Sequence, residues 1–360
     1  MQTMATRPVQ TFTIGFDDAA FNEADHAKAV AAHLGTDHTE LYVTPTQARD
    51  VIADLPSIYS EPFADSSQIP TFLVSQLAKR AVTVSLSGDA GDELFAGYTR
   101  YDVTQRLWQK LSRIPRPMRA VAAKLLTTLS PMAWQRIADS ARHIVPPLNR
   151  FSSVGSKIHK GANVLASRDG DQLYQGLTSY WLHPEAMVTG ARGTGARPYD
   201  ALDVPAGLTD VERMMALDLL TYLPDDILTK VDRAAMAVSL ETRVPMLDHR
   251  VVEFAWTLPL AIKTNAGRPK WPLREVLYRH VPRELIERPK VGFGIPVGQW
   301  LRGPLRDWAE ALLDPAKIEA DGLLAAAPIR EAWDRHQTGR SDHQYELWSV
   351  LMFQAWRAAQ

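Results

Sequence analysis

The sequence predicts an α/β fold: a parallel sheet in the first third of the chain, then a mainly helical remainder. Three observations carry this expectation. Short β-rich runs alternate with helix-period segments between residues 11 and 86. The run Val82-Thr83-Val84-Ser85-Leu86 stops abruptly at Ser87-Gly88-Asp89-Ala90-Gly91-Asp92-Glu93-Leu94-Phe95, where small and acidic residues lead into a helix-like pattern. Beyond about residue 100 the strand signals fade and helical spacing takes over.

In order, residues 11–16 (Thr-Phe-Thr-Ile-Gly-Phe) alternate polar and apolar and read as a strand. Asp17, Asp18 and Asn22 supply turn and N-cap chemistry. Ala27, Val30, Ala31 and Leu34 then fall at helical spacing, with Gly35 as the C-cap. A second strand is expected over 39–43 and a helix over 45–58. Glu61-Pro62-Phe63-Ala64-Asp65-Ser66-Ser67 reads as a loop capping a further helix that runs to Arg80. The third strand is 82–86. Strand, helix, strand, helix, strand calls for right-handed crossovers in one parallel sheet, with ligands at the carboxyl ends of its strands. Ser87-Gly88 and Gly15-Phe16 fall on that edge.

The turn after the third strand is the most informative feature. It offers backbone N–H groups and a helix N-terminus to an anion. The carboxylates of Asp89, Asp92 and Glu93 would repel a phosphate directly. They become useful when a divalent cation lies between, because hard Mg²⁺ prefers oxygen ligands. The turn therefore reads as a nucleotide site with Mg²⁺, or else as a strand–turn–helix junction whose acids cap the helix.

The second half is helical. A helix over 211–222 breaks at Leu223-Pro224-Asp225-Asp226, and the next, over 227–240, carries Lys230, Asp232 and Arg233. A C-terminal helix over 345–356 has an aromatic face expected in the core rather than stacked on bases. Between the halves, residues 110–160 hold ten Lys or Arg against the single acid Asp139, cut by several prolines. Because these bases do not gather on one helical face, a solvated surface is the better reading than a docking site for an acidic partner. Residues 186–209 read as an exposed loop. The chain divides on this view into 1–105, a partial α/β sheet, 106–210, a helical, Pro-rich, basic insertion, and 211–360, a helical region completing the site.

Composition sets limits. With 360 residues, 46% apolar and 22% charged, the chain is an ordinary globular sequence of one or two domains. Its net charge of −1 argues against nucleic acid or a membrane surface as partner. There is no cysteine, hence no disulfide, thiolate metal site or cysteine nucleophile within these residues, which fits a reducing cytoplasm. No run approaches the roughly 18 apolar residues of a membrane helix, and residues 1–10 are not a secretory signal. A soluble, cytoplasmic protein is expected.

Three clusters decide the reading: Ser87-Gly88-Asp89 with Asp92-Glu93; Lys230-Val231-Asp232-Arg233 with Ser239-Leu240-Glu241-Thr242-Arg243-Val244-Pro245-Met246-Leu247-Asp248; and Arg288-Pro289-Lys290-Val291-Gly292-Phe293-Gly294-Ile295-Pro296. Singly, each has a plain explanation: an ion-paired helix face, an Arg243–Asp248 structural salt bridge, a surface lysine. Their order resembles the synthetase domain of the glutamine-hydrolysing asparagine synthetases. Supporting it are Thr11-Phe12-Thr13-Ile14-Gly15-Phe16, Ala32-His33-Leu34-Gly35-Thr36-Asp37-His38, Glu61-Pro62-Phe63-Ala64-Asp65-Ser66-Ser67-Gln68-Ile69-Pro70, Gly97-Tyr98 and Tyr222-Leu223-Pro224-Asp225-Asp226-Ile227-Leu228.

The resemblance implies a nucleotide alpha-hydrolase-like (ATP pyrophosphatase) sheet followed by helices, with ATP and Mg²⁺ as cofactors. It implies that aspartate is activated as β-aspartyl-AMP with loss of pyrophosphate, then amidated by ammonia. By that resemblance, Ile14 meets adenine through its backbone, Ser87 and Gly88 contact the nucleotide, and Asp92 is the Mg²⁺–pyrophosphate ligand. Asp89 lies beside the reacting carboxylate, Lys290 stabilises charge on the α-phosphate, and Arg233 and Glu241, with Asp232 and Arg243, shape the aspartate end. A homodimer is implied only in the same way. For Arg243 and Asp248 a structural pair remains the preferred expectation.

Two parts of the family pattern are missing from these residues. No serine-glycine-glycine-x-aspartate-serine loop precedes the strand at 11–16, and Met1-Gln2-Thr3-Met4-Ala5 reads as the tail of that loop's helix, as if the sequence were N-terminally truncated. The glutaminase domain, expected in a full-length form, is absent as well. A sheet lacking its first strand would expose an edge or a central gap. Little or no synthetase activity is therefore expected of these 360 residues alone. The alternatives are an amidotransferase for another carboxylate, such as a sugar acid or peptide precursor, and a non-catalytic truncated fragment. A universal-stress-like nucleotide binder fits poorly with so large a helical half.

Overall fold

The computed structural model describes residues 1–16, 24–129, 133–134, 136–137, 154–191, 199, 202–287 and 295–360. These are mostly helical, with two small parallel sheets. By contacts the chain gathers into two compact units, one of Met1–Tyr98, Met215–Pro296 and Met352–Gln360, the other of Thr99–Met214 and Val297–Leu351.

In the first unit, β1 (Gln10–Phe16) pairs in parallel with β2 (Asp37–Val43), from Gln10 opposite Asp37 to Phe16 opposite Val43. The helix Ala24–Leu34 forms the crossover between them, and Gly35 ends it in the left-handed conformation (φ 69°) that glycine adopts without steric cost. β3 (Val84–Leu86) pairs in parallel with β4 (Glu241–Arg243).

Among the described residues, the single sheet expected from the sequence is thus two separate two-stranded sheets. β3 finds its partner in a polar three-residue strand far along the chain, and Glu-Thr-Arg carries no β-rich signal. What β1 and β3 share is helix packing. Phe12 of β1 and Val82, just before β3, both pack against Ala78, Ala235 and Leu240, contributed by the helix Gln68–Lys79 and by the end of the helix Thr229–Met236 with the approach to β4.

Two helical expectations also change. Residues 45–58 form the short helix Pro45–Asp50, opened by a Thr44–Gln47 capping box, a 3₁₀ turn Val51–Ala53 and a last turn Leu55–Ile58. At Leu223-Pro224 the chain does not break. It passes from the helix Asp210–Leu220 through a π-helical stretch, Leu223–Leu228, into Thr229–Met236. The wider π turn accommodates a proline that cannot donate to the helical ladder, and the Thr229 hydroxyl donates to the Pro224 carbonyl at 2.8 Å.

In the second unit, Tyr101, Leu173, Tyr174, Leu301, Ile329, Trp333, Leu347 and Trp348 are among the buried side chains. The C-terminal helix Gln344–Ala358 does turn its aromatic and aliphatic face inward, with Trp348 tilted against Trp308 at 6.2 Å. No helix among the described residues is long and apolar enough to cross a membrane.

Candidate active site

The site begins where β3 ends. Ser87 leaves the strand with its amide donating to the Arg243 carbonyl of β4 at 3.0 Å, so the β3–β4 ladder fixes the start of the turn. The Ser87 hydroxyl is buried and has no hydrogen-bond partner among the described residues. An unpaired buried hydroxyl carries a desolvation cost, which a ligand oxygen at that point would relieve.

Gly88 and Asp89 follow, and Ala90 turns the chain in the left-handed region (φ 67°) into the helix Gly91–Leu94. That helix is only four residues long. The anion-binding helix N-terminus expected from the sequence is a single turn, so its dipole adds little. The turn is anchored by packing instead, through Ala90, Leu94 and Phe95 in a core with Leu223 and Ala255, against which Leu273 packs.

Charge is arranged closely around this turn. Asp92 Oδ1 lies 2.8 Å from the Lys270 ammonium. Glu93 is buried (1% exposed) and accepts from the Tyr98 hydroxyl at 2.7 Å. Burial raises the Glu93 carboxyl above its ordinary value, and the Tyr98 hydrogen bond opposes this only in part, with Asp92 and Asp218 adding repulsion. Burial, with the Glu93 charge beside it, likewise raises the Tyr98 phenol.

Glu241 and Arg243 come to the same place by the β3–β4 register, with Val84 opposite Glu241 and Leu86 opposite Arg243. Arg243 Nε donates to Glu241 Oε1 at 2.7 Å. The Arg243–Asp248 pair expected from the sequence does not form. Asp248 caps the following helix through the Arg250 amide and is clasped by the Arg250 guanidinium at 2.8 Å, closer along the chain than Arg243.

The other expected residues are more dispersed. Ile14 is buried in β1 (3% exposed), opposite Leu41. Arg233 is held by its neighbour Asp232, with Nε 2.8 Å from Oδ2. Among the described residues no hydrogen bond or ion pair joins Ile14 or Arg233 to the turn. Lys290 lies outside the described residues.

The structure brings out two cations, the second of which pairs with the turn. Lys230, seen in the sequence only as one of a helical cluster, is 8% exposed and reaches Asp65 at 2.5 Å, with Asp226 at 3.8 Å. Burial would raise the Asp65 carboxyl, but the Lys230 charge and hydrogen bond, with the Ser67 amide and hydroxyl, bring it below its ordinary value. Lys270 has no mark in the sequence, since no spacing or composition around Gly267-Arg268-Pro269-Lys270 points to it.

Among the described residues no three His, Cys, Asp or Glu side chains gather closely enough to cage a metal. Mg²⁺ commonly takes only one or two carboxylates, with phosphate and water oxygens completing its octahedron. Asp92, a single carboxylate at the turn beside the buried Ser87 hydroxyl, is a donor of that kind.

The asparagine synthase family model matches residues 1–358. A Mycobacterium bovis protein, named provisionally as a glutamine-hydrolysing asparagine synthetase, is 34% identical over 97% of this chain and 50% of its own length. The glutamine-hydrolysing asparagine synthetase 1 of Bacillus subtilis is 28% identical over 97% of the chain and 52% of its own length. The human glutamine-hydrolysing asparagine synthetase is 30% identical over 33% of the chain and 24% of its own length. The chain spans about half the length of the Mycobacterium bovis and Bacillus subtilis relatives. It belongs to the asparagine synthase family.

Proposed function

We propose that this chain carries the ATP-dependent, amide-forming step of an asparagine synthetase, with aspartate as the carboxylate substrate. The observation that carries the reading is the turn from Ser87 to Asp92: a buried hydroxyl with no hydrogen-bond partner among the described residues and an oxygen-donor acid set beside the Glu241–Arg243 strand, in a chain matched over residues 1–358. The nucleotide part of this reading lies on 1–105 and the carboxylate part on 211–360.

The chemistry needs two displacements. A side-chain oxygen of aspartate attacks the α-phosphorus of ATP, the bond to the β-phosphate oxygen breaks and pyrophosphate leaves. Ammonia then attacks the acyl carbon, the acyl–oxygen bond breaks, AMP leaves and the amine loses its proton. Both steps build negative charge that fixed donors and cations stabilise. The Ser87 hydroxyl and Gly88 amide face the nucleotide, and the Ile14 backbone holds adenine. Glu241 and Arg233 shape the aspartate end, and Lys290 neutralises the α-phosphate. Asp89 lies beside the reacting carboxylate, and Asp92 would hold Mg²⁺, whose contribution when bound is charge neutralisation on the phosphates. The relatives' names speak of glutamine hydrolysis. A cysteine nucleophile for that reaction would have to lie outside these cysteine-free residues.

Nucleotide binding tests the reading. The 360-residue chain is expected to bind a fluorescent ATP analogue saturably in the presence of Mg²⁺. Ser87→Ala and Asp92→Asn should each weaken that binding by about tenfold, the loss of one charge-assisted contact. An inert analogue of β-aspartyl-AMP should compete more tightly than the matching adenylates of sugar acids or of a peptide carboxylate. A wild-type chain that binds no nucleotide would overturn the proposal, and a better sugar-acid competitor would replace its substrate.

A further inference from the structure

We propose that Lys270 is the built-in counter-cation of the nucleotide turn: its ammonium holds Asp92 in the ligand-free chain and yields that carboxylate to a divalent cation when nucleotide arrives. The inference rests on the nucleotide reading above and adds to it a residue whose charge decides what Asp92 can bind.

The geometry is specific. Lys270 Nζ lies 2.8 Å from Asp92 Oδ1, with the two side chains 31% and 20% exposed, so the pair is partly desolvated yet within reach of a ligand. The lysine is fastened to the turn by its main chain as well, since its amide donates to the Phe95 carbonyl at 3.0 Å. It adopts a left-handed backbone (φ 57°), which a residue with a Cβ rarely takes. Strain of this kind persists where surrounding structure imposes it. Leu273, one turn onward, packs beside Gly91, while the lysine stem runs so close to Gly97 that a Cβ there would strike it. The Phe95 carbonyl and the space left by Gly97 thus keep the lysine main chain and stem beside the turn.

A Mg²⁺-bound phosphate and an ammonium compete for the same carboxylate oxygen. The paired lysine neutralises Asp92 and so opposes the binding of a bare divalent cation. A metal–nucleotide complex would take Asp92 as a ligand of its cation. The freed ammonium has phosphate oxygens beside it and pairs with them. Lys270 therefore biases the turn against bare metal and in favour of metal already carrying an anion.

The test is free Mn²⁺ binding, read by electron paramagnetic resonance on the full chain without nucleotide, alongside the fluorescent ATP analogue with Mg²⁺. Lys270→Gln should bind free Mn²⁺ about tenfold more tightly than the wild type, and adding Asp92→Asn should abolish the gain. The same Lys270→Gln chain should bind the ATP analogue more weakly. Lys270→Arg keeps the charge and should resemble the wild type in both assays, and its thermal melting controls for folding. A Lys270→Gln chain with wild-type affinity for Mn²⁺ overturns the inference, even if it melts earlier, because a merely structural lysine would change stability alone. If the wild type binds no nucleotide while Lys270→Gln still gains Mn²⁺, the nucleotide reading fails and the lysine's hold on Asp92 stands.

Discussion

Lys230 and Asp65 show how much one buried pair can decide. Their side chains are 10% and 17% exposed and their charged atoms 2.5 Å apart, and the Tyr59 hydroxyl donates to the Lys230 carbonyl at 3.2 Å. Replacing Lys230 by Met leaves the Asp65 charge buried without its cation, so Lys230→Met should lower unfolding free energy by about 3–5 kcal/mol. The pH dependence has a definite sign. Because Asp65 titrates lower in the folded chain than in the unfolded one, its stabilisation is complete above the ordinary value of 3.8 and is lost as pH falls through the folded value. Urea unfolding at neutral pH and below pH 4 checks both points. A wild type whose stability is flat across that range, or a Lys230→Met loss under 1 kcal/mol, would show that the pair is not strongly coupled. The sequence displayed Lys230 in a charged cluster but not its partner, which lies 165 positions away in a loop. It displayed the Asp92 acid but not Lys270, because an ordinary Arg-Pro-Lys-Trp stretch gives no sign of where the ammonium points.

At the scale of an element, the turn from Ser87 to Tyr98 was legible in kind and illegible in construction. Small and acidic residues after a β-branched run announced a turn that leaves a strand, and β3 does deliver it. They did not announce that Ala90 and Ala96 would take left-handed backbones (φ 67° and 52°), since alanine is no marker for that region. Nor could local pattern reveal β4, whose pairing with β3 depends on a contact remote in the chain. Gly97 is the exception whose role the structure makes plain. A Cβ there would lie 2.8 Å from Asp92 Cα and would also strike the Asp92 carboxylate and the Lys270 stem. Backbone cannot yield as a flexible side chain can, so Gly97→Ala should destabilise the chain by about 1–3 kcal/mol. It should also loosen the Asp92–Lys270 pair. Thermal melting gives the first effect and free Mn²⁺ binding the second. A Gly97→Ala chain with wild-type melting would mean that the turn relaxes more freely than its packing implies.

Across the whole molecule, the division into two small sheets bears on solubility. Two-stranded sheets are marginal alone and here depend on the helices packed against them. Each sheet leaves strand edges with no strand partner among the described residues, and β3 adds exposed Val84 (39%) and Leu86 (48%). An edge with unpaired amides and apolar side chains is a template for pairing with another chain. Long-range charge offers little protection, because 40 basic and 41 acidic residues leave a net charge of −1 at pH 7. The chain should therefore associate most readily near neutral pH, and the β3 edge is the place to interrupt it. Val84 sits opposite Glu241 in the ladder, so Val84→Lys puts a cation across from a carboxylate while charging the edge. Static light scattering at neutral pH should show a higher concentration threshold for association in Val84→Lys than in the wild type. The same change at Val276, exposed on the helix Trp271–Leu277, should have little effect. Equal thresholds for the two variants would place the association surface somewhere other than β3.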